Sequence, residues 1–214
     1  MEEKEQKRYY ELGKNYWWLK GKYLLIDKFI NCYYKKKNFS YKIVKLLDFG
    51  CGPGNMLDYL IKYGKVYGVD SSKDAINFCQ TRNYENTSVI KDLPLEINDE
   101  SFDIITAIDV LEHIDDDESY IKELYRLCKK GGLVFITVPA FMILWGDHDE
   151  LYFHKRRYLI KDMRSKIIKN NFHILKISYF EFIYFLPLLL LRKIKNITRP
   201  SSMVRKDDFY NLPV

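Results

Sequence analysis

From residue 43 onward the chain repeats one pattern: a short apolar run rich in strand formers, a polar or glycine-rich turn, then a stretch with helical spacing. Ile43 to Phe49 reads as a strand, Asn55 to Tyr63 as a helix, Lys65 to Val69 as a strand, and Ser72 to Arg82 as a helix capped by its serine. Thr87 to Ile90 and Asp103 to Ile108 are two further strands, followed by a helix from Asp116 to Cys128. A turn at Gly131-Gly132 leads into a fifth strand, Leu133 to Val138; a helix over Leu159 to Asn170 and a sixth strand over Phe172 to Tyr179 complete the series. Strands joined through helices pair in parallel, and such a sheet must be covered on both faces. The expected fold is therefore α/β, with a doubly wound, mostly parallel sheet.

Ahead of this region, residues 5 to 37 carry aromatic and aliphatic side chains at roughly helical spacing: Tyr9, Tyr10, Tyr16, Trp17, Leu24, Leu25, Phe29 and Ile30. Gly13 and Gly21 are the expected breaks, with two helices meeting near Gly21. The partition is then an N-terminal helical extension over 1–40, a core over 41–180, and an apolar and basic segment with a polar tail over 181–214. A composition of 47% hydrophobic and 30% charged residues supports one sizeable core and argues against disorder. The net charge of +6 comes with a general excess of Lys, Ile, Asn and Tyr, as an AT-rich genome would produce, so it is no argument for nucleic-acid binding. Cys32, Cys51, Cys79 and Cys128 lie far apart without metal-ligand spacing, which points to neither zinc nor disulfides and fits a reducing, cytoplasmic location. Met1-Glu2-Glu3-Lys4 does not open a secretory signal.

In an open parallel sheet a ligand sits beyond the carboxyl ends of the strands, where the strand order reverses. The turn Gly50-Cys51-Gly52-Pro53-Gly54 follows the first strand and lies beside that crevice. Its glycines let a ligand approach the main chain without a Cβ in the way. A dinucleotide fingerprint requires glycines at offsets zero, two and five from the first; here Asn55 holds the last place. Asp48, just before the turn, would repel a pyrophosphate but attract an ammonium, such as that of the methionine part of S-adenosylmethionine. Asp70 ends the second strand about twenty residues past the first glycine, at the distance suited to ribose hydroxyls. That acid supports an adenosine cofactor without choosing which one.

The segments Val89-Ile90-Lys91-Asp92-Leu93-Pro94, Ser101-Phe102-Asp103-Ile104-Ile105, Asp109-Val110-Leu111-Glu112-His113-Ile114 and Lys129-Lys130-Gly131-Gly132-Leu133 then follow in order. Together with the glycine turn they resemble the class I S-adenosylmethionine-dependent methyltransferases, which have a Rossmann-like fold, over about ninety-five residues from Leu46 to Ala140. The resemblance implies S-adenosylmethionine as cofactor and S-adenosylhomocysteine as product. By position, Asp70 with neighbouring Ser71 would hold the ribose, Asp92 would accept from the adenine amino group, and the Leu93 amide would face the ring. Asp48, Gly50, Cys51 and Gly52 would face the methionine part, with Asp109 near the sulfonium. His113 falls at the rim, facing the acceptor or serving as a cap. The N-terminal Asn15-Tyr16-Trp17-Trp18-Leu19-Lys20-Gly21-Lys22 is similar to the opening of a bacterial and archaeal subgroup associated with sugar, polyketide-like or lipid-linked pathways. That likeness implies a helical lid, with Trp18 over the cofactor and Lys22 near its carboxylate; packing of the tryptophans on the sheet's edge is the other reading.

After the fifth strand, Trp145, Asp147, His148, Asp149, His154, Arg156, Arg157 and Tyr158 crowd into a short span. In this architecture the loop lines the acceptor pocket, so His148 and His154, with His113, are candidates for a general base. Trp145, Arg156, Arg157 and Tyr158 are candidates for substrate contact, the arginines as clamps for an anionic group. Alternatively the basic residues pair with Asp147, Asp149 and Glu150 and only fix the loop. A metal held by the two histidines with Asp147 or Asp149 is disfavoured, since no helix sets these ligands on one face, and no metal is expected.

Methyl transfer needs an acceptor held opposite the sulfur and, for a hydroxyl, a proton removed. The expected acceptor is an oxygen or nitrogen of a small, sugar or lipid-linked molecule. A nucleic-acid methyltransferase is disfavoured because Asp109-Val110-Leu111-Glu112 stands where base-modifying relatives carry an Asn/Asp-Pro-Pro-aromatic grip, and a non-catalytic cofactor-binding protein would not need an ionisable acceptor loop. Tyr179 to Leu191 is apolar but shorter than the ~20 residues of a spanning helix and contains Glu181 and Pro187. With Arg192, Lys193, Lys195 and Arg199 behind it, the segment 180–199 is expected to lie on a membrane surface or against a second copy of the chain. No seventh strand follows, so the sheet would lack the family's last strand.

Overall fold

The computed structural model describes residues 3–37, 44–180, 182, 185–187 and 189–190, without the side chains of Glu3, Glu5, Trp18 and residues 34–37. The chain divides into two compact units, residues 1–108 with 122–137 and residues 109–121 with 138–214.

The first unit is built on a five-stranded, all-parallel sheet. Its strands are β1 (Lys45–Phe49), β2 (Lys65–Asp70), β3 (Thr87–Val89), β4 (Phe102–Ile108) and β5 (Cys128–Thr137), in the order β3-β2-β1-β4-β5. The order reverses between β1 and β4, which pair from Leu46 with Ile104 to Asp48 with Thr106. That reversal opens the crevice at the carboxyl ends of the strands where ligands bind in such sheets. β1 is buried from Leu46 through Phe49, so both of its faces are covered and its sequence reads as a continuous apolar run.

Tyr23, Ile26 and Ile30 of helix α2 (Trp17–Lys37) share one core cluster with Leu46 of β1, Ile104 of β4 and Leu133 of β5. Met56, Leu57 and Leu60 of α3 (Asn55–Leu60) and Ile76 and Cys79 of α4 (Lys73–Thr81) belong to the same cluster. The serine cap of α4 forms as read from sequence: the Ser72 hydroxyl accepts from the Ala75 amide at 3.2 Å. α5 (Asp117–Leu127) precedes β5, and in the second unit α6 (Asp147–Leu151) and α7 (Ile160–Lys169) follow.

Four sequence expectations need correction. α1 (Glu3–Asn15) ends before Tyr16, and α2 runs unbroken through Gly21. A glycine inside a helix costs only about 1 kcal/mol, less than the burial of Tyr23, Ile26 and Ile30 returns. Gly13 lies within α1, where a Cβ would stand 2.6 Å from the Asn55 side-chain nitrogen. It admits a close approach instead of breaking the helix.

β5 starts at Cys128, so Gly131-Gly132 falls inside the strand, where the register with β4 shifts between Phe102 and Ile104. Residues 172–179 form no strand; among the described residues the sheet has five. Their alternation survives in part in burial, but no strand pairs with them, and the Tyr179 ring packs tilted against Phe141 with centroids 4.5 Å apart. Residues 191–214, including the basic end of the expected surface segment, lie outside the described residues. Among those described, Phe180, Phe182, Leu186 and Leu190 are exposed, and no helix there is long and apolar enough to cross a membrane.

Candidate functional site

The turn after β1 is held from inside. The amides of Gly50 and Cys51 both donate to the Val69 carbonyl, at 2.7 and 3.0 Å, and the Gly54 amide donates to Cys51 at 2.9 Å. The Gly52 amide donates to Asp70 Oδ2 at 2.8 Å, while Asp70 Oδ1 accepts from the Ser72 amide at 2.8 Å. Gly50, Gly52 and Gly54 all have positive φ, at 79°, 49° and 87°. That left-handed geometry favours glycine. A Cβ built on Gly52 meets nothing within 4 Å, so the turn has open space above it. The amides of Gly50, Cys51, Gly52 and Gly54 are thus spent on the turn itself. What remains for a ligand is the uncovered main-chain surface and the two carboxylates flanking it.

Asp48 is 2% exposed and accepts from the Thr106 hydroxyl at 2.7 Å. Burial pushes its carboxyl up to about 7, against the lowering effect of the Thr106 bond, and nearby Asp70 adds to the rise. A cationic group placed against it would restore the ionised form.

Behind the turn lies a brace that the sequence did not announce. Arg82 donates to the Pro53 carbonyl at 2.7 Å and to Asp58 at 2.5 Å, and its guanidinium lies 3.7 Å from the centroid of the Tyr10 ring. Tyr10 and Tyr84 donate to the same Asp58 carboxylate at 2.7 and 2.6 Å, and Cys79 Sγ donates to the Gly52 carbonyl at 3.3 Å. These partners come from α1, α3 and the end of α4, and no local spacing marks them as a set. Arg82→Met should lower stability by about 1–2 kcal/mol through the lost charge-assisted bonds and ring stacking. A denaturant midpoint unchanged from wild type would contradict that role.

The remaining cofactor candidates fall as follows. Ser71 and Asp92 are exposed, and Leu93 is half-buried in the segment that follows β3. Lys22 is half-buried on α2; the Trp18 side chain is not among those described. In the second unit, Asp109 takes φ 53° directly after β4, a left-handed conformation that an aspartate tolerates better than most residues.

The second unit gathers the histidines. His113 lies in a 3-10 turn, Leu111–His113, and its ring meets that of His154 edge-on at 4.7 Å between centroids. His148, on α6, lies 5.7 Å from His154 and 4.5 Å from Tyr152 by the same measure. All three predicted histidines are therefore neighbours. Asp149 is 0% exposed and His154 Nδ1 bonds its Oδ1 at 2.9 Å. Arg157 grips the same carboxylate in two places, Nε to Oδ1 at 2.7 Å and Nη2 to Oδ2 at 3.0 Å, and the Gly146 amide donates to Oδ2 at 2.9 Å. Burial alone would raise the Asp149 pKa, but the bonds from His154 and Arg157 hold it well below the usual carboxylate range.

Arg157 thus fixes the loop, as the alternative reading had it, and its third contact is the Ala140 carbonyl at 3.0 Å. Tyr158 is buried and donates to Asp117 at 2.7 Å, the carboxylate that also receives Lys166 at 2.7 Å. Arg156 donates to the Asp115 carbonyl at 2.9 Å, and Lys155 pairs with the Asp115 side chain. Of the anchoring acids expected from sequence, Asp149 engages these residues; Asp115 lies just ahead of α5 and Asp117 is its first residue. Trp145 is half-buried just after the 3-10 turn Met142–Leu144. Sequence reading also passed over Glu112, which is 1% exposed and offers a carboxylate beside His113 and His154. The signal available was its place next to His113 in Leu111-Glu112-His113.

Residues 47–136 match the model of the methyltransferase domain family. A ubiquinone biosynthesis O-methyltransferase of Pelagibacter ubique is 28% identical, the alignment covering 84% of this chain and 88% of that one. A protein of the same name from Coxiella burnetii is 28% identical over 64% of this chain and 62% of its own. Among solved structures, the YcgJ protein of Bacillus subtilis superimposes with a TM-score of 0.58 at 17% identity, over 80% of this chain and 88% of that chain. Phosphoethanolamine N-methyltransferase 2 of Haemonchus contortus, solved with S-adenosyl-L-methionine, gives 0.58 at 19% identity over 85% of this chain and 44% of its own. The all-parallel sheet with its glycine turn and flanking acids is thus that of the class I methyltransferases. Residues 47–136 therefore carry a methyltransferase domain, and the likeness to the named O-methyltransferases supports S-adenosylmethionine-dependent methyl transfer.

Proposed function

We propose that the chain binds S-adenosylmethionine at the end of β1 and moves its methyl group to an oxygen, or a nitrogen, of a small-molecule, sugar or lipid-linked acceptor. The observation that carries this reading is the pair of carboxylates on either side of the open glycine turn, Asp48 buried behind it and Asp70 bonded to Gly52. A sulfonium nucleoside brings an ammonium for the first and ribose hydroxyls for the second. Asp92 and the Leu93 amide serve the adenine, and α1 with α2 forms a lid that brings Lys22 to the methionine end. Asp109, His113, His148 and His154 are the candidates for the acceptor's chemistry.

The bond from acceptor atom to methyl carbon forms as the carbon–sulfur bond breaks, and the electron pair stays on sulfur as S-adenosylhomocysteine. This chain's residues have to orient the acceptor and, where it is a hydroxyl, accept its proton. An oxygen is favoured because the curated relatives are named O-methyltransferases. A nucleic acid is disfavoured by Asp109-Val110-Leu111-Glu112 after β4. Calorimetry with S-adenosylhomocysteine and with NAD tests the reading: the first should bind and the second should not, and binding of NAD alone would reverse the choice of cofactor.

The exposed Phe180, Phe182, Leu186 and Leu190 support a further part of the proposal, contact of segment 180–199 with an anionic membrane surface. Deleting residues 180–199 should abolish co-sedimentation with anionic vesicles; equal sedimentation of the deleted and full chains would reject it.

A further inference from the structure

We infer that Glu112, His113 and His154 form a binding site for one divalent transition-metal cation of the zinc type. Their ligand atoms all lie within 4.8 Å of one another. Ligands around a zinc ion at ~2.0–2.1 Å stand ~3.3 Å apart in a tetrahedron, so contraction by up to about 1.5 Å closes the set. The site is built as well as clustered. Glu112 is 1% exposed, so its carboxylate sits where a cation is electrostatically valuable.

His154 is held from behind: its Nδ1 bonds Asp149 Oδ1 at 2.9 Å, and Arg157 and the Gly146 amide lock that carboxylate. An ionised carboxylate only accepts, so Nδ1 carries the proton and Nε2 keeps the lone pair that a metal requires. A carboxylate orienting a ligating imidazole through its other nitrogen is the usual outer shell of a histidine–metal bond.

The donor set also selects the ion. Magnesium and calcium take oxygen ligands, whereas two imidazoles with one carboxylate suit zinc and its neighbours. Three protein ligands leave a position open, as in reactive zinc sites and unlike closed structural ones. That position would accept an oxygen of the acceptor, and this last step alone rests on the methyl-transfer reading.

The test uses the full chain, stripped with a chelator and titrated with Zn²⁺ by calorimetry and with Co²⁺ by visible absorption. One equivalent per chain is expected, with cobalt bands that grow to the same end point. His154→Ala and His113→Ala should each weaken Zn²⁺ binding at least tenfold, and Asp149→Asn about 10–100-fold through the outer shell. His113 is exposed, so His113→Ala keeps the test valid should the Asp149 variant fail to fold; its melting temperature in chelator should equal that of wild type. No saturable binding in wild type, or undiminished affinity in both histidine variants, would overturn the site. S-adenosylhomocysteine binding is measured on the same samples. Its loss in wild type would count against the methyl-transfer reading and leave the metal isotherm to be judged separately.

Discussion

Asp70→Ala is expected to weaken S-adenosylhomocysteine binding by about 10²–10⁴-fold, while the protein stays folded. Two hydroxyl bonds to one carboxylate are worth roughly 1.5–3 kcal/mol each, and a tenfold change is about 1.4 kcal/mol. The substitution also frees the amides of Gly52 and Ser72, both of which donate to Asp70. The glycine turn would then sample other conformations, and part of the affinity loss comes from ordering it again. Asp70→Asn should fall between the two, because it keeps an acceptor oxygen without the charge. Calorimetry on the three proteins at one pH checks the order; equal affinities would remove Asp70 from the cofactor site.

Asp48→Asn should act in opposite directions on stability and on binding. In the folded protein the Asp48 carboxyl titrates at about 7 rather than at 3.8, chiefly because it is buried. A group raised in this way favours the fold fully below its unfolded pKa, and that contribution is lost as pH rises through the folded value. Wild type should therefore lose stability between about pH 4 and pH 7 on account of this residue. Above that window it carries a buried charge, at a cost of about 2–4 kcal/mol. The asparagine variant avoids that cost, so it should melt higher than wild type at pH 8 and show no such gain at pH 4. It should also bind S-adenosylhomocysteine more weakly at pH 8, since the ammonium loses its partner. In wild type, binding at pH 6.5 should release a proton, visible as a binding enthalpy that depends on the buffer's own ionisation enthalpy. A variant no more stable than wild type at pH 8 would show that the buried charge is already compensated.

The two carboxylates differ in how openly the sequence displays them. Asp70 closes a strand about twenty residues after the first glycine, and both its position and its kind of partner follow from sheet geometry. Asp48 is equally visible, but its raised pKa depends on Thr106, a neighbour across the β1–β4 pairing. The same contrast holds in the second unit. His113, His148 and His154 could be named as a group from their chemistry, whereas Glu112 and the orienting role of Asp149 could not. Which acid reaches which imidazole depends on how α6 and the turn after β4 are folded. Arg157 could be assigned to a clamp or to a loop brace, and its two bonds to Asp149 support the brace.

The errors in reading elements share a cause. Gly21 looked like a break because propensity is local, yet the burial of neighbouring α2 residues outweighs it. Residues 172–179 have the alternation of a strand, but alternation describes a face and a strand also needs an edge to pair with.

By itself the amino-acid order determined the succession of strands and helices, the parallel sheet, the glycine turn and the acids at or just past the ends of strands one to three. Each of these rests on residues close together in the chain, where periodicity, backbone freedom and capping act directly. Tertiary structure alone decided the Arg82 brace, the burial that lifts Asp48, and the meeting of Glu112, His113 and His154 in front of Asp149. Those arrangements join residues distant in sequence, and their energies depend on desolvation and on bond geometry that exist only once the chain has packed.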